Sequence, residues 1–361
     1  MSEIKVNSIS SLNGANGPVI SGIATMVSSG AMTLPRGDTA YRGGRGRGIW
    51  GGGYGASSPY PNLATMDYVQ IATTGIGYDF GDLVQSATVS GGTASSTRGI
   101  FSGGRSPGAS NSYNVMQYVT ISSTGNAFDF GDLTYKPTFT SNASNNTRAI
   151  FAGGYNSISP YSGPSGTGSG FTNIDYVTIA STGNASSFGE LTTGRSVRFS
   201  ASSPTRGVFG AGRTFHSPAT IVKTNVIDFI TFATEGNAID FGDCIQNGID
   251  GFWGNAGNSS TRAIICSGDD GSGSDNELSY ITLASKGDAI DFGDSIDTTA
   301  GSGGSGTSNQ TRGVYRPASG NTDTALETTL IATLGNSTAF GDLNTGRRVY
   351  GSLSDAHGGI G

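Results

Sequence analysis

The chain of 361 residues carries 60 glycines, 13% charged residues and a formal net charge of -6. Long helices want alanine and charged pairs in place of so much glycine, and a disordered chain wants few aromatics, whereas 17 phenylalanines and 14 tyrosines recur here at regular positions. The 20 basic residues are scattered, so no stripe exists to neutralise a phosphate backbone and nucleic acid is not an expected partner.

Residues 1–40 come first and hold no repeat. They open Met1-Ser2-Glu3-Ile4-Lys5-Val6-Asn7-Ser8-Ile9, without the charged, apolar and small-residue order of a secretion signal. No apolar run approaches the ~18 residues that span a bilayer, so membrane insertion is not expected. Ile4, Val6 and Ile9 alternate with polar residues, and so short a segment cannot bury them alone. A partner subunit or the flank of the next domain is expected to cover them, which makes the arm an attachment and oligomerisation segment and the protein a homo-oligomer.

From residue 41 to residue 361 two phrases alternate, six times each. One is Arg-Gly or Arg-Ala followed by two apolar residues, beginning at Arg47, Arg98, Arg148, Arg206, Arg262 and Arg312. The other ends in Phe-Gly-Asp-Leu or a variant, with its phenylalanine at Phe80, Phe130, Phe188, Phe241, Phe292 and Phe340, in steps of 50, 58, 53, 51 and 48 residues. That period suits a four-stranded propeller blade. Each period holds four strand candidates: a short stretch such as Ala87-Thr88-Val89-Ser90, Pro137-Thr138-Phe139-Thr140 or Val197-Arg198-Phe199-Ser200; the Arg-Gly-Ile-Phe run; an alternating run such as Tyr118-Val119-Thr120-Ile121; and the run into Phe-Gly-Asp. The first period enters at its second strand, and its missing first strand has a counterpart near Val349 after the last period. If those two segments pair, the ring closes without a long free edge. The expected fold is therefore all-β: a six-bladed β-propeller of four-stranded blades, closed by a C-terminal strand on the N-terminal blade, behind an extended N-terminal arm.

The doublets Gly103-Gly104 and Gly153-Gly154 after an apolar strand, with an aromatic residue a dozen or more positions later, make residues 41–361 resemble kelch-type propeller repeats. They depart from that family in lacking its fourth-strand tryptophan, whose role the phenylalanine of Phe-Gly-Asp takes. The arm, with Gly17-Pro18-Val19-Ile20-Ser21-Gly22-Ile23-Ala24-Thr25 after its first nine residues, resembles N-terminal segments of structural proteins of tailed phages, marine cyanophages above all. That resemblance implies a virion protein, assembled in the host cytoplasm and joined to other virion proteins through its arm.

Several motifs imitate chemistry. Asp-Phe-Gly at Asp79, Asp129, Asp240 and Asp291 would suggest a kinase metal loop if it occurred once; repeated, without a lysine strand or catalytic loop, it reads as a structural turn. Gly43 to Gly48 has the composition of a phosphate loop but no Lys-Ser/Thr and no helix. Each repeat arginine (Arg47, Arg98, Arg148, Arg206, Arg262, Arg312) has an acid in its period (Asp82, Asp132, Glu190, Asp243, Asp294, Asp342), and six arginines facing six carboxylates read as one bidentate blade-to-blade tie repeated around the ring. His216 and His357, the two histidines, lie far apart without an activated nucleophile beside them, and Cys244 and Cys266 read as buried free thiols, so neither catalysis nor a bound cofactor is expected. Asp269, Asp270, Asp275 and Glu277 form one acidic cluster, hard oxygen donors able to hold calcium in a Gly-Ser loop. The most variable connections, Gly153 to Phe171, Gly212 to Val226 and Gly268 to Leu278, are the expected recognition loops, with Tyr155, Tyr161, Phe171 and Phe215 as exposed contacts. The expected function is a phage appendage, such as a tail fibre or spike, that displays a propeller to a host-surface glycan or protein. The alternatives are an architectural capsid or tail decoration and a polysaccharide-degrading propeller.

Overall fold

The computed structural model describes residues 19–20, 24–26, 32–33 and 46–360, apart from 56–60, 89–90, 106–111, 156–169, 217–219, 246–254, 267–275, 298–304, 317–323 and 349. The chain separates into two compact units, Met1–Arg45 and Gly46–Gly361. In the first, Val19–Ile20, Ala24–Met26 and Met32–Thr33 form a small antiparallel sheet in chain order. The segment holding Ile4, Val6 and Ile9 lies outside the described residues.

The second unit is built on six four-stranded antiparallel sheets, each an up-and-down meander, with a small additional pairing of Arg347–Arg348 and Tyr54–Gly55. Blade 2 is Gly91–Ala94, Arg98–Ser102, Val115–Thr120 and Phe128–Asp132. Blade 3 is Ser141–Ser144, Arg148–Ala152, Asn173–Thr178 and Ser186–Glu190; blade 4 is Phe199–Ser202, Arg206–His216, Thr220–Thr231 and Ile239–Asp243. Blade 5 is Asn255–Asn258, Arg262–Cys266, Glu277–Thr282 and Ile290–Asp294; blade 6 is Gly306–Ser308, Arg312–Tyr315, Ala325–Leu330 and Thr338–Asp342. Blade 1 draws on both ends of the unit: Gly351–Ser354 pairs with Arg47–Gly51, which continues to Thr65–Gln70 and Tyr78–Asp82. Each first strand touches the first strand of the next blade, and the Gly351–Ser354 strand touches those of blades 6 and 2. The unit is a six-bladed β-propeller.

The first strands are not where apolar patterning places them. Ala87 and Thr88, Pro137 to Thr140 and the start of Val197 to Ser200 form the approach to their blades, Val89 and Ser90 lying outside the described residues, and the innermost strands begin later, as Gly-Gly-Thr-Ala, Ser-Asn-Ala-Ser and Phe-Ser-Ala-Ser. Phe139 has φ of 62°, so no strand can run through it. Six strands converge on one axis and leave little room there, so the innermost strands carry mostly Gly, Ser, Ala, Thr and Asn, with Phe199 and Leu353 as the large exceptions, where a β-propensity scale asks for Val and Ile. At the other end of each blade, Phe-Gly is part of the outer strand and not a turn. Gly81 pairs with Met66 and Asp79 with Asp67, which leaves Phe80 as the extra residue of a β-bulge, and the same slip recurs in all six blades.

That bulge turns the phenylalanine inward. Phe80, Phe130, Phe188, Phe241, Phe292 and Phe340 are all buried. They contribute to six separate apolar cores, each spanning two adjacent blades; the core between blades 1 and 2, for instance, joins Ile49, Met66, Phe80 and Leu353 to Phe101 and Val119. Because every core lies between blades, a single blade has little to bury alone and the ring must close for any of them to be complete.

Candidate functional site: the axial channel and the loop face

The repeat arginines do tie neighbouring blades, but to carbonyl oxygens. Arg47 Nη1 donates to Ile121 O at 2.8 Å, Arg98 to Ile179 O at 2.8 Å, Arg148 to Phe232 O at 2.8 Å, Arg206 to Leu283 O at 3.1 Å, Arg262 to Ile331 O at 3.0 Å and Arg312 to Ile71 O at 3.3 Å. Each bond runs from one blade to the next, and the last returns to blade 1. In five blades the guanidinium also lies 4.3 to 5.0 Å from the centre of a ring on its own third strand: Tyr68, Tyr118, Tyr176, Phe229 or Tyr280.

Among the described residues no ion pair joins a repeat arginine to Asp82, Asp132, Glu190, Asp243, Asp294 or Asp342. These acids end the outer strands, exposed or half-buried, and what they offer the next blade is backbone. The amide of Asp82 donates to Asn126 Oδ1 at 3.0 Å, with counterparts at Asp132, Glu190, Asp243 and Asp294. Gly125 N donates to Phe80 O at 2.7 Å and Ala127 N to Asp82 O at 2.8 Å. The Gly-Asn-Ala phrase thus covers the outer edge of the preceding blade, an edge that would otherwise offer unpaired amides to another chain.

A second set of buried polar groups, which sequence reasoning missed, occupies one equivalent position of each third strand, just after the slip in its pairing with the outer strand. Asp175 accepts from Thr134 N at 2.7 Å and Thr134 Oγ1 at 2.8 Å. Glu327 accepts from Asp297 N at 2.9 Å, from Ile296 N and Ser295 Oγ, and from Ser337 Oγ. Asp228 and Asp67 serve the same purpose and in addition hold Arg195 at 2.9 Å and Arg347 at 2.8 Å, all four side chains at most 1% exposed. Burial raises the Asp67 and Asp175 carboxyls above the usual range, and at Asp67 the Arg347 guanidinium opposes that rise. A signal was available: Thr-Gly-Arg follows the outer strand at Thr193-Gly194-Arg195 and again at Thr345-Gly346-Arg347, and in both places the next blade supplies Asp, not Gln or Ser.

Hydroxyl and amide side chains of the innermost strands line the axis. Two cavities of about 40 and 60 Å³ lie there and share Gly92, Asn142, Ser200, Gly306 and Ser352 in their walls. Spaces of this size admit a few waters but not a sugar or a nucleotide. One end is closed by the segment after the last strand. His357 Nε2 lies 2.9 Å from Ala94 O and 3.2 Å from Ser144 Oγ, while its Nδ1 accepts from Gly359 N at 3.1 Å, which fixes the neutral Nε2–H tautomer. Gln310 Nε2 donates to the His357 carbonyl at 2.9 Å. Gly358 and Gly359 pack so close to Ser259 O and Ser144 O that a Cβ at either would overlap the carbonyl. Burial lowers the His357 imidazole to about 4. This histidine therefore stands half-buried in the bend that follows the last strand, with both ring nitrogens engaged in structural hydrogen bonds.

The turns between first and second strands stand at the plugged end, so the longer connections between second and third strands all leave from the opposite face. Of the expected contacts there, Tyr155 is half-buried and stacked on Phe139 at 5.5 Å. Phe171 is 7% exposed and packs on Tyr135 at 4.9 Å, which makes it a core residue and not a contact. Tyr161, Asp269, Asp270 and Asp275 lie outside the described residues, as does the side chain of Phe215. The connection from Gly212 to Val226 is a long hairpin, Arg213 opposite Lys223 and Phe215 opposite Ile221, and not an irregular loop. Glu277 opens a strand opposite Asp294. Among the described residues no three His, Cys, Asp or Glu side chains gather as metal ligands. Neither cysteine is in a disulfide, both are buried, and burial pushes the Cys244 thiol up to about 12.

No protein-family model matches the chain. No curated protein matches it.

Proposed function

We propose that the chain is a virion appendage of a tailed phage, in which the N-terminal arm attaches and oligomerises and the propeller is displayed to a glycan or protein on the host surface. What supports the display reading is one geometric fact: the variable connections, including the hairpin that runs past Gly212 to Thr220, leave a single face of a closed ring, the face opposite the plug. A rigid scaffold with variable loops at one end is a common arrangement for recognition. The glycine doublets at Gly103-Gly104 and Gly153-Gly154 adopt left-handed φ where the second strand ends, and they support placing the repeats near the kelch type. The arm supports the phage reading through its sequence resemblance alone.

The reading as a non-enzyme rests on the use already made of the buried ionisable groups. Asp67 and Asp228 hold arginines, Asp175 and Glu327 hold amides and hydroxyls, and His357 is neutral and engaged at both nitrogens. Gold-labelled antibody raised against the propeller is expected to decorate an appendage on purified particles; antigen confined to the unassembled fraction of the lysate would end the idea. Shortening the connections around 156–169 and 267–275 should abolish host attachment, whereas an architectural subunit would tolerate it. Loss of viscosity when host polysaccharide is incubated with the protein would turn the conclusion toward an enzyme.

A further inference from the structure

The sixth blade breaks the repeat at one place. Where the other blades set Tyr or Phe on the third strand and stack it beneath the arginine, blade 6 has Thr328, and Arg312 has no ring among the cation–π contacts of the described residues. Across from it, the outer-strand position held by Tyr78, Phe128, Ile239 and Ile290 in four blades is Thr338. Arg312 still bonds to the Ile71 and Ala72 carbonyls, at 3.3 and 3.4 Å, so its guanidinium keeps the station it has in the other blades. The missing side chains leave a cleft of about 230 Å³ bordered by Arg312, Thr328, Thr338, Leu330 and Leu334. Both leucines are out of pattern as well. Their counterparts are Gln70, Thr120, Thr178, Thr231 and Thr282 at the first position and Thr74, Thr124, Thr182, Glu235 and Lys286 at the second, yet Leu330 and Leu334 are 56% and 59% exposed.

We propose that this cleft binds a flat aromatic ring, a phenol or phenyl group, supplied by a ligand in place of the side chain that the other blades supply from within. The guanidinium offers the cationic face of a cation–π pair, the exposed Thr338 hydroxyl tolerates a phenolic oxygen while that of Thr328 is engaged by the Gly313 carbonyl, and the two leucines form an apolar collar at the entrance. The volume far exceeds that of either axial cavity and suits a single ring. The cleft is formed at the turn between third and fourth strands, so it stands at the end of the blade away from the proposed recognition loops and does not depend on their role.

Titration of the full chain with p-cresol and with N-acetyl-tyrosinamide, followed by saturation-transfer NMR, tests the site. Saturable binding with Kd on the order of 1 mM is expected, abolished by Thr328→Tyr, which rebuilds the arrangement of the neighbouring blades and should leave the melting temperature unchanged or higher. Arg312→Met should weaken binding about tenfold. Tighter binding of the blocked tyrosine assigns the ring to a polypeptide partner, and tighter binding of p-cresol assigns it to a small phenolic molecule. Absence of binding by both probes, or binding that survives Thr328→Tyr, overturns the proposal.

Discussion

Leu353 stands opposite Ile49 in the sheet that closes the ring, and its side chain fills the space that Gly99 of blade 2 leaves by lacking a Cβ. One residue from the last strand thus completes both the first blade and the core between blades 1 and 2. Leu353→Ala should cost about 2–4 kcal/mol in urea denaturation. Removing residues 350 to 361 should cost more than any point substitution, because it uncovers the Arg47–Gly51 edge and opens the ring. An unchanged melting temperature after that truncation would contradict closure by this strand.

The two kinds of tie make different demands on the arginine and the outer acid. Arg148→Met removes the bond to Phe232 O and the stack on Tyr176, and about 1–2 kcal/mol of stability is expected to go with them. Asp132→Asn leaves the backbone contact to Asn184 in place and should change stability by no more than about 0.5 kcal/mol. Equal losses in the two variants would restore the carboxylate tie that the sequence suggests.

At Asp67 the carboxylate cannot be spared. Asp67→Ala leaves Arg347 buried without its counter-ion, and a loss of about 3–5 kcal/mol is expected. Replacing both, as Asp67→Leu with Arg347→Met, should recover most of that loss, because no charge is then stranded. A double variant no more stable than the single one would mean that packing, not charge, sets the cost.

Two glycines of one interface separate crowding from backbone strain. At Gly81, φ +138°, a Cβ would overlap the Gly125 carbonyl, whereas at Gly125, φ +154°, a Cβ would meet nothing within 4 Å. Gly125→Ala should cost about 1 kcal/mol from conformation alone, and Gly81→Ala about 3 kcal/mol or more, because the blades must part to admit the methyl. Similar melting temperatures for the two variants would show that the outer edge is not held as closely as its hydrogen bonds indicate.

The plug makes stability depend on pH. The folded state keeps His357 neutral until about pH 4, while the unfolded chain takes up the proton below 6.5. The stabilisation is therefore complete above pH 6.5 and is lost as the pH falls through 4. The raised carboxyls of Asp67 and Asp175 act in the opposite sense, favouring the fold as the pH drops, so the comparison must be with a variant that lacks only the imidazole. Between pH 7 and pH 4.5 the natural protein should lose about 2 kcal/mol more than His357→Gln, read from urea midpoints. Parallel curves for the two would show that the histidine is not the titrating group.

The blade count, the period and the closure were legible in the residues, because each blade repeats the same problem of burying one face of a twisted sheet. A buried phenylalanine, a left-handed glycine and an arginine recur at fixed spacing wherever that problem is solved the same way. The innermost strand was not legible at its true position: crowding at the axis selects mostly small residues, which carry little strand signature, and Pro137-Thr138-Phe139-Thr140 pointed to the approach instead. The partners of the charged groups were decided only by the tertiary structure. The repeated arginine and acid of each period suggested a carboxylate tie between blades, but the stagger between blades brings each guanidinium to a carbonyl one blade away and leaves the outer acids exposed or half-buried. The carboxylates that matter, Asp67, Asp175, Asp228 and Glu327, sit inside alternating strands where their charge looked incidental, and only the convergence of adjacent blades gives each one the amides, hydroxyls or arginine that make its burial tolerable.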